Sequence, residues 1–132
     1  SAGGHLVTRM VCADSPLPEE VRGRIGHVVS ISGVHDLRPL LRTKMNATLR
    51  MDEAEAAAES PALLRPMDNC SVTCWVGSAE RPEFLRQNDL LANIWTGLGA
   101  DMQRVHAEGR QHFDVIEELA DPASKLTEVF VQ

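Results

Sequence analysis

Two short apolar, β-branched runs constrain this chain more than any other feature. Residues 25–34 (IGHVVSISGV) and 71–77 (SVTCWVG) each end at or beside a glycine. An apolar run of that length, bounded by turn residues, reads as a buried strand. Helical patterns stand beside both. Leu6, Val7, Met10 and Val11 are spaced to form one apolar stripe over residues 1–13. Phe84, Leu91, Ile94, Trp95 and Leu98 fall on one face of a helix predicted over 82–98, with Gly97 and Gly99 at its end. Strands that alternate with helices of this length imply a parallel sheet with right-handed crossovers, and therefore an α/β fold.

The rest of the chain is punctuated by helix breakers. Asp14-Ser15-Pro16-Leu17-Pro18 cannot continue a helix. Residues 36–51 read as a loop with short helical turns, and 52–59 as an alanine-rich helix with Asp52 as its N-cap and Glu55 three residues on. Residues 101–106 (DMQRVH) are polar enough to predict a third strand near the sheet edge. Two short helices are expected over 113–119 and 122–131, with Pro122 in a first helical turn. One domain, 1–132, is expected, with no internal repeat. Three short strands and their helices leave much of a parallel sheet uncovered, so a larger sheet is expected than this chain supplies.

Composition bounds the function. An apolar share of 43% and a charged share of 24% are those of a globular protein and argue against disorder. The net charge of −6 and scattered basic residues exclude a nucleic-acid groove as an expectation. No run approaches the roughly 20 apolar residues of a membrane helix, and no leader pattern opens the chain. Cys12, Cys70 and Cys74 make an odd count without a CxxC pair, which argues against a disulfide framework and for a cytoplasmic setting. Cys74 and Trp75 read as core residues. No histidine pair has metal-ligand spacing, so neither metal nor cofactor is expected.

In α/β enzymes the working residues stand at the C-terminal ends of strands. Ser1-Ala2-Gly3 fits the right half of the G-x-S-x-G nucleophile elbow, where small residues flank a serine in a strained turn. Glu80 follows the second strand, as a carboxylate that orients a histidine would. His112 follows the third strand, where a general base could reach a serine. Taken singly, each has a plain alternative: a frayed terminus, a helix-N-terminal charge like that expected of Glu83, a surface histidine. Asp36, after the first strand, is the rival acid, or pairs with Arg38 across a turn. The order serine, acid, histidine after successive strands is the α/β-hydrolase order, and three placements in sequence outweigh any one.

The segments around these residues also resemble a known family. SAGGHL at 1–6, SGVHDLRPLL at 32–41, Asn46, SPALL at 60–64, VGSAERPEFLRQ at 76–87 and HFDVIEELADP at 112–122 are similar to the kynurenine formamidases and related esterases. The resemblance covers nearly the whole chain. It implies the C-terminal part of an α/β-hydrolase fold, a mostly parallel sheet flanked by helices in a three-layer sandwich, beginning at the nucleophile. It further implies Ser1 as nucleophile, Glu80 as acid where many relatives carry aspartate, His112 as base and the Ala2 amide as an oxyanion donor. The remaining oxyanion donors come from an HGG-type loop that this chain does not contain. Losing one such donor costs about 10²–10³ in rate, so the chain alone is expected to be a poor catalyst. The substrate class implied is an aryl formamide such as N-formyl-kynurenine, in tryptophan breakdown. A carboxylesterase or thioesterase of the same superfamily is the near alternative. An N-terminal-nucleophile enzyme, using the Ser1 amine as base, would leave Glu80 and His112 without a role. A non-catalytic fragment that completes another chain's sheet is the alternative outside catalysis. The partners expected are a small-molecule substrate and either the N-terminal half of the fold or further copies of the chain.

Overall fold

A computed structural model of the chain describes Ser1–Gln132. Three strands form the sheet: β1 (Val28–Ile31), β2 (Ser71–Gly77) and β3 (Asp101–Ala107). They are all parallel, in the order β1-β2-β3. Val28 pairs with Val72 and Ile31 with Trp75; Ser71 pairs with Asp101 and Gly77 with Ala107. β2 is central and almost wholly buried, while β3 at the edge exposes most of its side chains. That difference follows the two sequences, VTCWV against DMQRV.

Period-two alternation sorts β2 between two cores. Val72 and Cys74 join Val11, Cys12, Val28, Cys70, Leu91, Ala92 and Trp95 on one face. This face is covered by α1 (Ala2–Arg9), packed on β1, and α5 (Pro82–Gly97), packed on β2 and β3. Trp75 faces the other way, with Ala107, Val115 and Leu126. There the cover is a 3-10 turn over Val115–Ala120 and α6 (Lys125–Val131). The architecture is three-layered α/β, as the residue pattern requires.

The connections are short helical pieces. α2 (Glu19–Arg22) precedes β1; a 3-10 turn (Arg38–Arg42), α3 (Asn46–Leu49) and α4 (Glu53–Ala58) lead towards β2. Asp52 caps α4 by accepting from the Glu55 amide at 2.8 Å. Trp95 Nε1 donates to the carbonyls of Pro61 and Leu64, both at 3.1 Å, and so ties the SPALL segment to α5. α5 ends where Gly99 turns to φ +90, and Leu98 is left 41% exposed rather than joining the buried face.

Two further expectations are corrected. The face of α1 that meets the sheet carries Gly4 and Thr8, and the turn after the helix adds the buried Val11 and Cys12, whereas Leu6 is 57% exposed and Val7 37%. The cause is Gly4: a Cβ there would lie 2.5 Å from Gly33 Cα and 2.6 Å from Ser30 Oγ, so only glycine lets the helix rest on the end of β1. Pro122 does not open a helix. α6 starts three residues later, with Ser124 accepting from the Thr127 amide at 3.1 Å, because a serine hydroxyl caps a helix and proline cannot.

Candidate functional site

The site lies where the three strands end. After β2 the chain turns through Ser78 and Ala79, and the Glu80 amide donates back to the Gly77 carbonyl at 3.1 Å. This tight turn directs the Glu80 side chain inward, where it is fully buried. After β3 the loop carrying His112 folds back onto the same turn. The amides of Ser78 and Ala79 donate to the carbonyls of Ala107 and Arg110, at 2.8 and 3.0 Å. The Ser78 hydroxyl accepts from the Gly109 amide at 2.8 Å.

This stitching brings Glu80 and His112 together. His112 Nδ1 and Glu80 Oε1 are 2.6 Å apart. An ionised carboxylate can only accept, so Nδ1 carries the proton and the neutral ring presents a lone pair at Nε2. The imidazole is stacked on Phe84, the third residue of α5, with centroids 4.2 Å apart and planes 27° apart. Phe113 meets it edge-on at 5.3 Å. The ring is thus held in plane by Phe84 and in direction by Glu80. Glu80 Oε2 accepts from Ser32 Oγ at 2.5 Å and from the Gly77 amide at 2.7 Å.

Ser1 is the N-cap of α1 and is exposed. Its carbonyl accepts from the His5 amide at 3.1 Å and the Val34 amide at 3.4 Å, which sets the start of α1 against the loop after β1. No hydrogen bond joins the Ser1 hydroxyl to His112. Ala2 opens α1, and the first amides of a helix have no intrahelical acceptor.

Other candidates are placed elsewhere. Asp36 is engaged by Arg38, whose Nε and Nη2 donate to its two oxygens at 3.0 and 2.9 Å, and it bonds to no histidine. The Arg38 bonds hold its carboxyl below the usual range. Asn46 closes its own loop by exchanging bonds with the Met51 backbone at 3.1 and 2.9 Å. Glu83, in the first turn of α5, pairs with Arg86. Trp75 is core.

Burial raises the thiols of Cys12 and Cys74 to about 12 and that of Cys70 to about 11, so none is a ready nucleophile. No group of three or more His, Cys, Asp or Glu side chains is arranged to hold a metal ion. No helix is long and apolar enough to cross a membrane.

Two residues at this site escape sequence reasoning. Ser32 looks like any small residue in a strand. Gly77 reads as a strand terminator, yet a Cβ there would collide with the Arg110 carbonyl. Its missing side chain is what admits the His112 loop.

No family model matches the chain. Over its whole length it is 29% identical to a kynurenine formamidase of Danio rerio and 30% identical to one of Salmo salar, covering 46% and 47% of those proteins. The chain therefore spans about half the length of the curated relatives it matches. Among solved structures it superposes on a protein of Silicibacter sp. TM1040, provisionally described as a thioesterase, with a TM-score of 0.90 and 49% identity over 99% of this chain and 48% of that one. It also superposes on a propionate-bound esterase of Thermogutta terrifontis with a TM-score of 0.59 and 23% identity, over 86% of this chain and 44% of that one. The fold is of the α/β-hydrolase type, and the similarity to kynurenine formamidases runs the length of the chain.

Proposed function

We propose that this chain carries the catalytic residues of a serine hydrolase that cleaves an aryl formamide or a short ester through an acyl-enzyme. The carrying observation is the 2.6 Å bond between a fully buried Glu80 and a half-buried His112 whose second nitrogen is free. His112 Nε2 takes the proton of the Ser1 hydroxyl as Oγ attacks the substrate carbonyl. The oxyanion that forms is held in part by the Ala2 amide at the start of α1. The protonated imidazole, stabilised by Glu80, then gives its proton to the leaving amine or alcohol, and the carbon–nitrogen or carbon–oxygen bond breaks. Water enters, loses a proton to Nε2 and attacks the acyl-serine. The acid leaves as the proton returns to Ser1 Oγ.

For the substrate, similarity to kynurenine formamidases along the whole chain favours N-formyl-kynurenine. A thioester is favoured by the 49% identity to the Silicibacter protein. The test is kcat/KM of the protein at its full natural length on N-formyl-kynurenine, short nitrophenyl esters and short acyl thioesters, beside Ser1→Ala. The proposal expects a formamide preference that vanishes in Ser1→Ala. Hydrolysis that survives Ser1→Ala would refute the role of Ser1, and a thioester preference would replace the formamide reading.

A further inference from the structure

The Glu80 carboxylate is held on both oxygens. Oε1 faces His112, while Oε2 receives the Ser32 hydroxyl at 2.5 Å and the Gly77 amide at 2.7 Å. Ser32 is 1% exposed and directly follows β1. Its φ is +49, in the left-handed region that residues other than glycine and asparagine rarely enter. Such a conformation persists only where the surroundings over-determine it.

Here they do. The Ser32 amide donates to the Trp75 carbonyl at 2.7 Å and so carries the β1–β2 ladder one residue past the strand. Gly33, next in the chain, is walled in by Ser30 Oγ, His35 Nε2 and the Gly4 backbone. The amides of His35 and Asp36 both donate to Gln87 Oε1, at 2.9 and 2.8 Å, which fastens the turn to α5. A backbone held this firmly in an unfavourable region delivers one thing to the site, a hydroxyl aimed at Oε2. Glutamate has one more rotatable bond than aspartate, so a carboxylate at its end needs a second anchor to keep one oxygen on an imidazole.

We propose that Ser32 is a positioning residue for the Glu80–His112 pair, its hydroxyl fixing Oε2 so that Oε1 stays on the imidazole. This rests on reading Glu80 and His112 as acid and base. Two variants of the full-length protein separate the hydroxyl from the backbone: Ser32→Gly is at ease in the left-handed turn and lacks the hydroxyl, and Ser32→Ala lacks the hydroxyl and keeps the strain. Both are expected to lower kcat about 10- to 100-fold, the loss of one hydrogen bond to a charged group, with KM within about twofold. The acid limb of the kcat/KM profile is expected to move to lower pH, because an imidazolium whose carboxylate partner is no longer held in place is less stabilised.

A readout free of turnover is the low-field proton resonance of the His112–Glu80 bond, assigned by its absence in His112→Asn. In Ser32→Gly it should exchange with water several-fold faster, on the order set by losing that one bond. An unmoved acid limb together with an unmoved exchange rate in Ser32→Gly overturns the proposal, and so does a lowered melting temperature with both unmoved. Should the wild-type protein show no serine-hydrolase activity while the exchange rate still responds, the functional reading fails and the positioning role stands.

Discussion

His112 Nδ1 and Glu80 Oε1 are separated by thirty-two residues of chain and by 2.6 Å of space. Parallel topology explains the gap: Glu80 follows β2 and His112 follows β3, so a crossover through α5 and a strand must intervene before the chain returns to the same sheet end. The bond is completed by local packing, with the His112 loop laid against Gly77 and the ring stacked on Phe84.

If Glu80 holds the imidazole in its productive tautomer, Glu80→Gln should cost about 10³–10⁴ in kcat while KM changes little. Steady-state kinetics on the best substrate decides this. A loss confined to KM would remove Glu80 from the chemistry.

Gly77 should tolerate no side chain. A methyl group there meets the Arg110 backbone, which cannot swing aside as a side-chain tip could, so the His112 loop must move. A displacement of about 1 Å at a reacting group can cost about 10² in rate. Gly77→Ala is therefore expected to lower kcat by roughly that factor. Gly97→Ala serves as control: nothing lies within 4 Å of its Cβ position, and it sits in α5 where alanine is favoured. It should keep full activity. Equal activity in the two variants would contradict the packing argument.

Phe84→Ala removes the stacked face of the imidazole. An aromatic pair of this kind contributes about 0.5–1.5 kcal/mol, so kcat should fall roughly 2- to 10-fold. Phe84→Tyr or Phe84→Trp, which keep a ring there, should restore most of it. If alanine and the aromatic variants have the same kcat, the stacking does not position His112.

Acid should destabilise the fold through His35. This side chain is 0% exposed. Its Nδ1 donates to the Gln87 carbonyl at 2.9 Å, so its Nε2 accepts from the Ser30 hydroxyl at 2.8 Å, a pattern only the neutral ring can make. Burial pushes its pKa down from 6.5 to about 4. The unfolded chain then binds a proton that the folded chain refuses. Stability from this group is complete above about pH 6.5, falls as pH drops towards 4 and is flat below, for a total of about 3 kcal/mol. Urea titrations between pH 4 and 7 should show this slope, and His35→Gln should flatten it. An unchanged slope in that variant would assign the acid sensitivity to other groups.

Much of this was legible in residue types. The contrast between VTCWV and DMQRV sets a buried central strand against an exposed edge strand, because hydrophobic content decides which strand can be covered on both faces. The strand-end positions of Glu80 and His112 could be read because a parallel α/β fold gathers its loops at one end. The α1 stripe could not. Leu6 and Val7 are the apolar residues of that helix, yet Gly4 sets which face approaches the sheet, and hydrophobic spacing takes no account of backbone clearance. Ser32 was equally hidden, since its left-handed φ comes from the packing of Gly33 and the Gln87 bonds rather than from its own preference.

The most direct test of the central claim is covalent. The purified full-length protein is treated with a fluorophosphonate, its denatured mass is measured and the adduct is mapped by peptide sequencing, beside Ser1→Ala and Glu80→Gln. One adduct is expected, on Ser1, absent from Ser1→Ala and formed far more slowly in Glu80→Gln. A wild-type protein that gains no adduct, or an adduct that persists in Ser1→Ala, would contradict that claim.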